Sequence, residues 1–276
     1  MSSHPRRTAG VLLASVTALL AAGIPAAAAA TPAPKPKPAP RTTEASKTPA
    51  PQPPVPDPHA TVAVLDLDAG ATTPVIQGED RAYDTASIVK VDILAALLLK
   101  AQDERRALTD EERGHAEPMI KRSDNDAADA LWKEIGQDPG LTAANQRLGL
   151  TSTTAGTSGR WGLTRTTASD QIRLLRAVFD DSARSPLTPD SRAYIRTLMG
   201  EVLPEQSWGV SAVNAAGTEL KNGWLQRTTT GLWDVNSIGE VTLGGHRCLV
   251  AVLSDGSASM SDGVSLVEQA ARAAVA

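Results

Sequence analysis

The sequence predicts an α+β domain: an antiparallel sheet made from both ends of the folded region, flanked by helices, with a helical lobe inserted between its parts. Three observations carry this. Short β-branched runs occur early and again late within residues 59–276. The stretch between them repeats apolar residues at spacings of three and four. Residues 59–276 alone have globular composition, because the first 58 residues are of two other kinds.

The elements follow in order. Residues 61–67 form a β-branched run that ends at Asp68-Ala69-Gly70, a strand and its turn. Residues 74–77 are the expected hairpin partner. From Ser87 the period changes, and Val89, Ile93, Ala96, Leu97 and Lys100 recur at helical spacing. Further helices are expected at 126–135, 168–180 and 189–203. Strands return at 219–226, 232–242 and 247–254, separated by turn residues, and 261–275 closes as an amphipathic helix. No internal repeat is present.

The first 58 residues are expected to lie outside this domain. Residues 1–30 read as a secretory signal peptide, with Arg6 and Arg7 at its start, an apolar stretch at 11–24, and Pro25 followed by Ala26 to Ala30 for cleavage. The rival is an uncleaved N-terminal membrane anchor, since the apolar stretch nearly reaches spanning length. A lipid anchor needs a cysteine at the cleavage site, and the one cysteine is Cys248. The expected location is therefore secreted or extracellular. Residues 31–58 hold 11 of the 19 prolines, so neither helix nor ladder can form. They predict a disordered, polyproline-II-like linker whose use is reach.

Composition excludes several classes. The whole chain carries a net charge of −4, but residues 59–276 carry 21 basic and 29 acidic side chains. An acidic domain lacks the basic patch that drives nucleic-acid binding, so no nucleic-acid partner is expected. One cysteine rules out an internal disulfide and a cysteine-based zinc cluster. His4, His59, His115 and His246 have no metal-ligand spacing, so neither metal nor cofactor is expected. Cys248 sits in an apolar strand and reads as a buried, inert thiol. The domain is expected to be a monomer.

Three short segments carry candidate chemistry. In Ser87-Ile-Val-Lys90, positions i and i+3 share a helix face, so Lys90 Nζ can reach Ser87 Oγ. Serine needs a base to become a nucleophile, and lysine serves only when burial or a nearby cation keeps it neutral. The alternative is a surface lysine on an amphipathic helix; Ile88, Val89 and Val91 argue against it. Ser123-Asp-Asn125 precedes a helix, and its bland alternative is a helix start with Ser123 as N-cap. Lys221-Asn-Gly223-Trp224 lies on a strand, where a glycine allows close approach of a ligand. Its alternative is an edge strand protected by a lysine.

In this order, Ser-x-x-Lys, Ser-Asp-Asn and Lys-x-Gly resemble the motif set of the penicillin-recognising serine enzymes, the class A β-lactamases and penicillin-binding proteins. The resemblance spans roughly residues 60–276. It implies a β-lactamase/transpeptidase-like fold and a serine hydrolase. The implied ligand is a β-lactam or a D-Ala-D-Ala-like cell-wall peptide. Carried over by position, Ser87 is the nucleophile that becomes acylated and Lys90 its base. Ser123 relays a proton to the leaving nitrogen, assisted by the charge of Lys221. Asn125 hydrogen-bonds the substrate's side-chain amide. The backbone N–H groups of Ser87 and Trp224 form the oxyanion hole. Asn222 stands where a threonine or serine usually helps bind the substrate carboxylate, beside Gly223, and its amide is still a donor.

The chain departs from the family in two places. Class A β-lactamases use a glutamate, on a loop after the Ser-Asp-Asn helix, to activate the deacylating water. Between Asp138 and Asp170 this chain has no Asp or Glu. The corresponding loop, near 154–167, offers Arg160, Trp161 and Arg165, so the acyl-enzyme is expected to be long-lived unless a residue such as Glu201 or Glu205 serves. The spacing from Ser87 to Ser123 is also short, which implies a trimmed helical lobe and a more open cleft. Trp161, Trp208 and Trp224 are candidates to line it, with core packing as the alternative, whereas Trp132 and Trp233 are expected in the core. The alternatives to a β-lactamase are a D,D-carboxypeptidase and a non-catalytic protein that binds β-lactams or the cell wall.

Overall fold

The computed structural model describes residues 57–214 and 216–275. The expected signal peptide, and the linker except its last two residues, lie outside the described residues. The chain enters through β1 (Ala60–Asp66) and a short partner, β2 (Val75–Gln77). It passes β3 (Tyr83–Asp84) and a 3-10 turn, Ala86–Ile88, into α1 (Val89–Asp103). The helical lobe follows as α2 (Asp110–Lys121), α3 (Asn125–Glu134) and α4 (Gln137–Leu148). A two-residue strand, β4 (Arg165–Thr166), pairs with β3, and α5 (Ala168–Phe179) and α6 (Pro189–Gly200) lead back to the sheet. The last elements are β5 (Glu219–Gln226), β6 (Trp233–Leu243), β7 (His246–Ser257) and α7 (Met260–Ala274).

The main sheet is antiparallel, in the order β2-β1-β7-β6-β5. Early and late strands meet at its centre, where Ala60 pairs with Ser254 and Asp66 with Cys248. Side chains alternate between the faces of a strand. In β7, Leu249, Ala251 and Leu253 enter a core shared with α1 and the helical lobe. Cys248, Val250 and Val252 enter a second core beneath α7, with Val267 and Ala271. Burial on both faces explains why this strand reads as an unbroken apolar run. Cys248 is buried as expected, and burial pushes its thiol up to about 11.

Helix α1 buries twelve of its fifteen residues, so it is apolar nearly all round, as a central helix must be. Two helices of the lobe have no counterpart among the predicted elements. Helix α2 is polar and contains Pro118, which masks its period, yet a capping box marks its start. Thr109 Oγ1 accepts from the Glu112 amide at 3.1 Å, and the Glu112 carboxylate accepts from the Thr109 amide at 2.6 Å. Helix α4 carries Pro139 and Gly140 in its first turn. Gly136 and Gly149 bound it in left-handed conformation, at φ 86° and 74°.

Asp92 of α1 is fully buried, and among the described residues neither of its carboxylate oxygens has a hydrogen-bond partner. Desolvation pushes it up to about 8, against a smaller lowering from the side chain of Gln171. The fold therefore holds a proton that the unfolded chain releases above roughly pH 4. On this account stability is full below pH 4, falls as pH rises, and is flat again above about 8. Asp92→Asn is expected to leave the melting temperature unchanged at pH 4 and to raise it at pH 8, as followed by circular dichroism. An equal shift at both pH values would show that the proton is not the cause.

Candidate active site

Ser87 lies in the 3-10 turn that feeds α1, and Lys90 follows one turn later. Lys90 Nζ is 3.0 Å from Ser87 Oγ. It also contacts the Ser123 carbonyl at 2.6 Å, Ser123 Oγ at 3.1 Å and Asn125 Oδ1 at 2.8 Å. From the sheet side, Lys221 Nζ reaches Ser123 Oγ at 3.0 Å and the Asn222 carbonyl at 2.9 Å. The Ser123 hydroxyl thus stands between two lysine nitrogens, and both lysines are fully buried. Burial lowers Lys90 to about 7, partly offset by Asp124 and Asp129. Burial, and then repulsion from Lys90, hold Lys221 well below the usual lysine range.

Local structure explains how Ser123 comes free. The N-cap of α3 is Asp124, whose side chain accepts from the Ala127 amide at 2.9 Å, rather than the serine before it. Ser123 itself has φ 60°, and Ala86, beside Ser87, has φ 46°. Side chains other than glycine rarely hold such angles, and strain of this kind collects at functional sites.

Strand β5 is an edge of the sheet, and Gly223 lets it approach the serine turn. A Cβ there would lie 2.6 Å from the Ser87 nitrogen and 2.8 Å from the Ile88 nitrogen. Asn236 of β6 holds the same turn: its Nδ2 donates to the carbonyls of Asp84 at 2.9 Å and Thr85 at 3.1 Å. Asn236 and Asp84 were not among the candidate residues. Only the β6 pattern hinted at Asn236, as a polar residue in a buried run. The buried Asp84 carboxylate pairs with Arg165 at 3.4 Å and with Arg227, tying the loop on one wall of the cleft to the β5–β6 turn on the other.

Asn222 departs from expectation. Its Nδ2 donates to the carbonyls of Gln206 at 2.7 Å and Trp208 at 2.9 Å, so the amide offered to a substrate carboxylate is committed to the backbone. The physical reason is strand alternation: Asn222 points away from the face that carries Lys221, toward the segment that covers the sheet. Trp224 shares that face, and its ring meets Trp208 at a centroid distance of 5.9 Å, against the second core. Trp132 is buried as expected, whereas Trp233 is only half-buried.

A cleft of about 660 Å³ opens beside the cluster, between Asn125, Asp129, Trp161, Gly162 and Arg227. Trp161 donates from Nε1 to Asp129 Oδ1 at 2.7 Å, and its ring lies 4.8 Å from Lys90 Nζ. Glu201 pairs with Lys121 at 2.6 Å, and Glu205 is exposed in a 3-10 turn. Neither makes a hydrogen bond to the cluster among the described residues.

Comparison with known proteins gives the family and the fold. The sequence model of the beta-lactamase enzyme family matches residues 113–276. The chain belongs to the beta-lactamase enzyme family. The matched part holds Ser123, Asn125 and Lys221 and begins after Ser87 and Lys90. Among curated relatives of this beta-lactamase-family chain, the Mycobacterium tuberculosis protein LppW is 30% identical over 166 residues. Its name classes it provisionally as a lipoprotein, and the Mycobacterium bovis protein of that name matches equally. The alignment covers 58% of this chain and 52% of LppW, so the chain spans about half the length of the curated relatives it matches.

Solved structures share the β-lactamase fold. The TLA-3 extended-spectrum beta-lactamase superposes with a TM-score of 0.67 at 18% identity, covering 78% of this chain and 91% of that one. A class A beta-lactamase from Bacteroides cellulosilyticus gives 0.66 at 18% identity, with 79% and 90% covered. PBP-A gives 0.64 at 21%, with 79% and 89% covered. At such identities these likenesses speak to the fold.

Proposed function

We propose that this beta-lactamase-family protein is an exported serine hydrolase whose Ser87 is acylated by β-lactams or by D-Ala-D-Ala-like cell-wall peptides. The observation that carries the proposal is a buried lysine nitrogen, Lys90 Nζ, 3.0 Å from the Ser87 hydroxyl. Neutral Lys90 takes the Ser87 proton as Oγ bonds to the carbonyl carbon. The backbone N–H groups of Ser87 and Trp224 hold the charge that develops on the carbonyl oxygen. Ser123 Oγ gives its proton to the leaving nitrogen as the scissile C–N bond breaks, and regains one from Lys90. Lys221 stabilises the Ser123 oxygen during that relay, and Asn125 positions the acyl side chain. Export is supported by the signal-like residues 1–30.

The loop without a carboxylate favours a second form of the same chemistry, a penicillin-binding D,D-carboxypeptidase that β-lactams block. Intact-mass measurements after adding excess penicillin, with Ser87→Ala in parallel, test both. A drug-sized mass gain in the parent that is missing from Ser87→Ala is expected, and its lifetime separates a β-lactamase from a blocked peptidase. No gain at any time, with penicillin unconsumed, would sink the proposal and favour a non-catalytic binding protein.

A further inference from the structure

An acylated serine is released by water, and water needs a base. The loop over the site has none, since no Asp or Glu occurs between Asp138 and Asp170. Another element offers a carboxylate. Asp129 lies one turn beyond Asn125 on α3, and residues four apart share a helix face. Both line the cleft, where Asp129 is the one Asp or Glu among the lining residues. Trp161 holds it: the indole N–H donates to Oδ1 at 2.7 Å, and the Asp129 side chain is exposed. The same indole lies 4.8 Å from Lys90 Nζ, which is 3.0 Å from Ser87 Oγ. The carboxylate, the indole, the lysine and the serine are thus linked by successive contacts from the cleft lining to the serine.

We infer that Asp129 is the general base of deacylation and Trp161 its positioning residue. This rests on the acyl-enzyme proposed above. In the step, Asp129 Oδ2 removes a proton from water and the water oxygen bonds to the acyl carbon. Asp129 passes that proton through the cleft solvent to neutral Lys90, and the ester bond to Ser87 Oγ breaks as Oγ takes the proton from Lys90 Nζ. This leaves Asp129 without the proton and Lys90 neutral, which restores the starting state.

The test follows adduct formation and decay by intact mass, with benzylpenicillin and the full chain, in the parent, Asp129→Asn and Asp129→Glu. Asparagine keeps an acceptor for the Trp161 indole, so a purely structural role would survive it. The expected result is acylation in Asp129→Asn no slower than in the parent and an adduct that lasts about 10²-fold longer or more. Asp129→Glu should restore part of the decay. Hydroxylamine, which attacks without a base, should discharge the Asp129→Asn and parent adducts equally. Equal adduct lifetimes in parent and Asp129→Asn would overturn the inference alone. So would a folded Asp129→Asn that fails to acylate. No adduct in the parent would overturn the acyl-enzyme itself, and this inference with it.

Discussion

Acylation of Ser87 by a chromogenic cephalosporin should climb with pH to about 7 and then level off, and Lys90→Met should slow it by roughly 10²–10⁴-fold. Only the neutral amine can accept the serine proton. Burial lowers Lys90 to about 7, so each pH unit below that removes about nine-tenths of the neutral form that remains. Above it the amine is already neutral and further alkali adds nothing. Arginine keeps its charge at any pH, so Lys90→Arg should be as slow as methionine although it retains hydrogen-bond donors. Stopped-flow acylation between pH 5 and pH 9 is the check. A flat profile in the parent would remove Lys90 from the role of base.

Gly223→Ala should slow acylation by about 10²-fold and also lower the melting temperature. The new methyl would stand 2.6 Å from the Ser87 nitrogen, 2.8 Å from the Ile88 nitrogen and 2.8 Å from the Thr85 carbonyl oxygen. All three are backbone atoms, so no side chain can swing aside, and β5 or the serine turn must move. Overpacking of this kind costs about 1–3 kcal/mol. A displacement near 1 Å separates Lys221 from Ser123 and Ser87 from the β5 edge. Thermal melts and adduct formation on one preparation test both halves. An alanine variant that acylates at the parent rate would show that β5 need not lie so close.

Periodicity and turn residues made most of the sheet legible, because β5, β6 and β7 are long and bounded by Gly, Thr and His. The same signals failed for α2 and α4, whose apolar residues are sparse and whose prolines break the pattern. They failed again for the two-residue pairing of β3 with β4, which has no period to detect. Around the site, the short motifs named Ser87, Lys90, Ser123 and Lys221, because their identity and order are local facts. What depends on facing direction was not legible. Asn222 reads as a donor beside a motif lysine, yet strand alternation turns it toward Gln206 and Trp208. Asp129 reads as one more acid on a helix surface, and only the path of the 154–167 loop brings Trp161 onto it. Asp84 shows nothing in sequence of the two arginines, 81 and 143 residues further on, that it holds.

The central position of β7 has a bearing on how the protein is made. It is the last strand in sequence, and it joins β1 to β6. Before β7 is available the main sheet exists only as two separate pairs, β1 with β2 and β5 with β6. Closing it brings together residues 194 apart, Ala60 and Ser254, against the entropy of the intervening chain. Proteins ruled by such distant pairings fold slowly compared with helical bundles. A chain of this design therefore cannot complete its main sheet until β7 is in place. The serine turn, gripped by Asn236 from β6 and crowded by Gly223 from β5, depends for its shape on strands that come late in the chain.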